Sequence, residues 1–144
     1  MIRYVKLKET AQYFMKKSEK GDETVKVDND IETVFDIALD HFNADEYDAA
    51  IKKFSEVLAK APFHPDAQYY MALSWAHKGN SGKAISEFTK VIENDPNDTD
   101  ALIGRGEVWQ SKGKHKRALA DFKKALGMDP DNPDYKKKVL DLEE

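Results

Sequence analysis

Four histidines, His41, His64, His77 and His115, are the side chains of this 144-residue chain best suited by type to proton transfer or metal binding. An imidazole pair on a helix binds zinc when the two rings stand one turn apart, and no two of these histidines have i, i+4 spacing with a carboxylate between them. No metal site is expected. Cysteine is absent, which removes thiol catalysis, disulfide frameworks and thiolate ligands. Carboxylates are many, but they fall on expected outer faces and turns, where solvated charge outweighs a positioned acid/base pair. The "GRG" stretch, Gly104 to Gly106, lies inside a helical pattern, so no phosphate loop is implied. The basic stretch "KGKHKR", Lys112 to Arg117, with Lys123 and Lys124 nearby, could hold phosphate groups or another anion, although a solvated turn is the plainer reading. The expectation is a protein that is not an enzyme and uses no cofactor.

The rest of the chain must position these residues. Hydrophobic residues make up 40 % and charged residues 35 %. No apolar run approaches the roughly 18 residues a membrane helix needs, so no membrane partner is expected. The start, "MIRYVKLKET", alternates charge with apolar residues and lacks a secretory h-region, which favours a cytoplasmic location. A net charge of −4 argues against general nucleic-acid binding. The charge is uneven, with seven acids against three bases over residues 31–64 and five against seven over residues 99–132. Such a gradient orients a partner more than it adds affinity.

The strongest pattern is a repeat. "AIKKFSEVLAKAP", Ala50 to Pro62, is followed thirty-four residues later by "AISEFTKVIENDP", Ala84 to Pro96, and after the same interval by "ALADFKKALGMDP", Ala118 to Pro130. Alanine, phenylalanine and proline therefore recur in phase, and twelve residues before each alanine stands another small residue: Ala38, Ala72 or Gly106. Three residues further on comes His41, Trp75 or Trp109. In each repeat, apolar or small residues at helical spacing, such as Gln68, Met71, Ala72 and Trp75 and then Ala84, Ile85, Phe88, Val91 and Ile92, predict two amphipathic helices. The small residues let paired helices approach, and the phenylalanine fills the space beside the alanine. Gly79 and Gly113 suit a left-handed turn between the helices, where the first repeat has Asp45. Asp98 and Asn132 read as helix caps, and His64 before Pro65 as a weaker one.

A period of 34 with a small residue, an aromatic, A-x₃-F and proline in these places resembles the tetratricopeptide repeat, over residues 31–132. The resemblance implies an all-α, right-handed α-α superhelix of three helix-turn-helix repeats, 31–64, 65–98 and 99–132. Residues 133–144 are expected to form a C-terminal capping helix, which a solenoid needs for solubility. It further implies a scaffold whose first helices line a concave groove. The groove positions are Glu32, Phe35, Asp36, Leu39, Phe42 and Asn43, then Asp66, Tyr69, Tyr70, Leu73, Ala76 and His77, then Asp100, Ile103, Glu107, Gln110 and Ser111. Family members that hold a chaperone's C-terminal carboxylate use lysine, asparagine and arginine at fixed positions, which here read Phe35, Leu39, Tyr70, Asp100 and Gly104. The expected partner is thus an apolar, preferably basic, peptide or helix rather than an acidic tail. The alternative is a structural protein that dimerises or stacks end to end. Arg105, in a column filled by Ile37 and Met71, is expected either to snorkel along the core or to pair with an acid.

Residues 1–30 do not fit the repeat. Leu7, Ala11, Phe14 and Met15 lie on one stripe with Arg3, Lys6, Lys8, Lys16, Lys17 and Lys20 around it, which predicts one extra helix and a linker. This helix has the chemistry to dock in the groove of its own chain or, in a dimer, of a neighbour's; capping the edge of the first repeat and disorder are the other expectations.

Overall fold

A computed structural model describes residues 30–144; the extra helix expected within residues 1–20 and its docking lie outside the described residues. Seven α-helices and no strand are found among the described residues: α1 Ile31–Asn43, α2 Tyr47–Lys60, α3 Pro65–His77, α4 Ser81–Asn94, α5 Thr99–Ser111, α6 His115–Met128 and α7 Pro133–Glu143. None is long and apolar enough to cross a membrane. The chain divides after Pro62 into two compact units.

In the first unit α1 packs on α2. Ala38 and Ala50 are fully buried, so the two backbones come close, and the rings of Phe35 and Phe54 meet 5.8 Å apart beside them. Asp36 lies half-buried on α1 among Asp30, Glu32 and Asp40. Burial and these three acids push its carboxyl up from the ordinary value to about 6. A carboxyl that holds its proton more tightly when folded costs no stability at low pH, loses stability as pH rises through the gap between the unfolded and folded values, and carries the full cost above it. Asp36→Asn should therefore raise the unfolding free energy by about 1 kcal/mol near pH 7, after allowance for solvent screening. Thermal melts should show that gain vanishing near pH 4.

In the second unit α3 packs on α4, α4 on α5, α5 on α6 and α6 on α7. One core gathers Ala72, Ala84, Phe88, Val91, Ile92, Ala101, Leu102, Val108 and Ala125. A smaller one joins Ala118, Phe122 and Val139, so α7 lays the face bearing Val139 against the last repeat's α6. Tyr135 and Leu142 complete that face while Lys136 and Lys137 stay exposed.

The turns and caps carry the period into the backbone. Asp45, Gly79 and Gly113 all take positive φ, at 60°, 79° and 75°, the left-handed conformation that glycine adopts without strain and aspartate tolerates. Asp98 accepts from the Ala101 amide at 3.1 Å, and Asn132 accepts from Asp134 and Tyr135. His64, expected to be the weakest cap, also works: its Nδ1 accepts from the Ala67 amide at 3.1 Å, which requires that nitrogen to be unprotonated.

Arg105 resolves toward pairing. Its Nε and Nη2 donate to the two carboxylate oxygens of Asp121 at 2.9 and 2.7 Å, and Nη1 donates to the Thr89 hydroxyl at 3.2 Å. Asp121 is only 6 % exposed, so this fork ties α5 to α6 and α4 inside the unit.

Candidate functional site

The second unit has a cleft of about 240 Å³ between α3 and α5, floored by α4. Leu73, Ala76 and His77 come from α3, Gly104, Glu107, Val108 and Ser111 from α5, and Ser81 and Phe88 from α4. Its origin is a missing side chain. Tyr70 stands thirty-four residues before Gly104, in the same place of its repeat. A Cβ at Gly104 would lie 2.6 Å from the Phe88 ring, so the glycine lets α5 settle directly on that ring and leaves no side chain projecting above it. Gly106 does the same against Phe122, at 2.5 Å. The walls are therefore mostly apolar, with polar groups at the rim.

One carboxylate, Glu107, lines the cleft, and two more stand in the first turns of α3 and α5, outside its lining. Glu107 accepts from Lys138 of α7 at 2.7 Å, so a cation from the capping helix already sits beside it. Asp100, in the first turn of α5, is exposed. Asp66 holds the matching position of α3 and is half-buried. Arg105 cannot serve the cleft, because its guanidinium is committed to Asp121.

The expected groove residues fare differently. Leu73 and Glu107 are brought together on the cleft, along with Ala76, His77 and Ser111. Tyr69 and Tyr70 pack edge to face at 5.4 Å, and Tyr69 meets Phe88 at 5.9 Å, so Tyr69 is tied to the core beneath the cleft. Ile103 packs between the two cores of the unit. In the first unit Phe35 is fully buried and Leu39 is 4 % exposed, so neither side chain presents open surface. Asp36, on the same helix, is half-buried among acids. Gly104, Val108 and Phe88 were not among the expected site residues. The signal for them was present as the glycine that interrupts the column of Asp36 and Tyr70.

Two of the other histidines make local structural contacts. His41 Nδ1 lies 2.6 Å from Glu46 Oε2 across the first turn, and His64 is a helix cap.

The sequence profile described as Tetratricopeptide repeat matches residues 35–99 and 78–133. No curated protein matches the sequence. Among solved structures, the first TPR of Spaghetti (RPAP3), bound to the HSP90 peptide SRMEEVD, is similar with TM-score 0.74 and 18 % identity, covering 78 % of this chain and 90 % of that one. The Arabidopsis OM64 TPR domain has TM-score 0.72 and 20 % identity, covering 78 % and 93 %. MamA has TM-score 0.67 and 29 % identity, covering 69 % of this chain and 58 % of its own. At identities this low the first two carry the fold, while the profile spans both units and all three repeats. The chain belongs to the tetratricopeptide repeat family, and its fold is the all-α solenoid of that family.

Proposed function

We propose that this protein is a non-catalytic interaction module that binds an apolar, basic peptide or helix in the cleft between α3 and α5. The observation that carries this reading is the Gly104 gap, which leaves Leu73, Ala76 and Val108 around the Phe88 ring with Asp66, Asp100 and Glu107 along the same pair of helices. Apolar anchors enter such a cleft and gain by burial, while lysines or arginines on the same peptide meet the carboxylates. The structurally similar RPAP3 domain is bound to the acidic peptide SRMEEVD. This chain has no lysine or arginine at the positions expected to clamp a carboxylate, which read Phe35, Leu39, Tyr70, Asp100 and Gly104. An acidic tail would meet Asp100 there, and like charges disfavour it.

Ala76→Arg tests the reading. It places a bulky cation in the cleft wall without truncating the core, so calorimetric titration with a lysine-rich helical peptide carrying a leucine and phenylalanine stripe should show binding at least tenfold weaker, about 1.4 kcal/mol. Equal affinity for the wild type and the variant would place the peptide elsewhere. Self-association, the second reading of the sequence, has its own structural support in the hairpin turns.

A further inference from the structure

The turns inside the three helix hairpins occupy the same place in each repeat and share left-handed φ at Asp45, Gly79 and Gly113, yet their charges run in opposite directions. Residues 44–49, "ADEYDA", hold three carboxylates; residues 78–83, "KGNSGK", hold two lysines; residues 112–117, "KGKHKR", hold four cations. In the last turn Lys112, Lys114 and Lys116 are exposed, and among the described residues no side-chain hydrogen bond or ion pair is found for their ammonium groups. Arg117 lies over the Trp109 ring at 4.7 Å, and Lys83 takes the matching place over Trp75 at 4.2 Å. A cation seated on an indole is held in position while its outer face stays in water. The first turn is ordered in the opposite sense. Glu46 is held by His41 at 2.6 Å, and Asp45 accepts from the Tyr47 hydroxyl at 2.7 Å.

We infer that the basic turn at Lys112–Arg117 is an interface for a second copy of this chain, whose acidic turn at Asp45–Asp48 docks against it. The complement is written on the same chain, at the matching point of the first hairpin. A net charge of −4 keeps a general polyanion such as nucleic acid at a disadvantage by comparison. Attraction between exposed charges is short-ranged at physiological ionic strength and orients partners more than it tightens them. The association is therefore weak and strongly salt-dependent. It uses neither Leu73 nor Ala76, so it stands or falls apart from the peptide cleft.

Sedimentation of the full-length chain tests it. The wild type should associate at about 20 mM salt and be monomeric at about 300 mM, its dissociation constant rising at least tenfold between them. Lys112→Glu/Lys114→Glu/Lys116→Glu/Arg117→Glu should be monomeric at low salt. So should Asp45→Asn/Glu46→Lys/Asp48→Lys, in which asparagine keeps the left-handed turn. An equal mixture of the two variants should associate again, because the swapped charges meet their complement. Circular dichroism confirms that each variant is folded, and the salt series on the wild type needs no variant. A wild type that stays monomeric at low salt overturns the proposal. So does association that survives high salt, or a mixture that fails to recover it.

Discussion

Phe88→Ala should lower the unfolding free energy by about 3–5 kcal/mol, as the loss of a large buried ring does. Phe88 is fully buried, meets Tyr69 of α3 edge-on at 5.9 Å, and supports Gly104 of α5 from below, so one ring joins three helices. Phe122 is equally buried but belongs to the smaller core with Ala118 and Val139, where α7 is the last layer. Phe122→Ala should cost less. Denaturant unfolding followed by tryptophan fluorescence measures the difference directly, because both tryptophans of the chain, Trp75 and Trp109, lie in the second unit. A larger loss at Phe122 would contradict this account of the core.

The second large effect is expected at Asp121. Removing one partner of a buried ion pair strands the other charge, so Asp121→Leu should cost about 3 kcal/mol. The stranded group is the Arg105 guanidinium, which would keep only its bond to Thr89. Replacing both partners, as Arg105→Met/Asp121→Leu, removes the stranded charge and should recover most of that loss. A double-mutant cycle by urea unfolding reads the coupling. If the double variant is as unstable as the two single losses added together, the fork contributes nothing beyond the packing of its stems.

How much of this was legible follows from how local each determinant is. The helices, their turns and their caps depend on neighbours within a few residues. Asp45 could be assigned to a left-handed turn because Gly79 and Gly113 hold its place in the later repeats, and Asp98 and Asn132 announce themselves as caps by type. Ala38, Ala50, Phe54 and their counterparts mark the helix contacts because the period repeats them. The partner of Arg105 was not legible, since a misfit cation in an apolar column shows that compensation is needed without saying which acid provides it. The contact between Glu107 and Lys138 joins residues from different helices and breaks the repeat pattern, because no earlier repeat has a cation there.

The site was harder to read than the fold for a related reason. Groove positions carried over by column treat every repeat alike, but Phe35 and Leu39 are buried whereas Leu73 and Glu107 line a cleft. Gly104, where the preceding repeat has Tyr70, leaves the Phe88 ring uncovered by any side chain at that position of α5. The most informative residue of the site is therefore one with no side chain, and patterns of apolar spacing pass over it.

The central claim is that the cleft between α3 and α5 is where a partner peptide binds. Amide chemical-shift mapping of the full-length chain tests it most directly, with the striped lysine-rich peptide and the acidic peptide SRMEEVD added in separate titrations. The account predicts that the lysine-rich peptide shifts the amides of Leu73, Ala76, His77, Gly104, Glu107 and Ser111, while the acidic peptide leaves them in place. Shifts confined to other surfaces, or an acidic peptide that perturbs the cleft as strongly as the basic one, would contradict it.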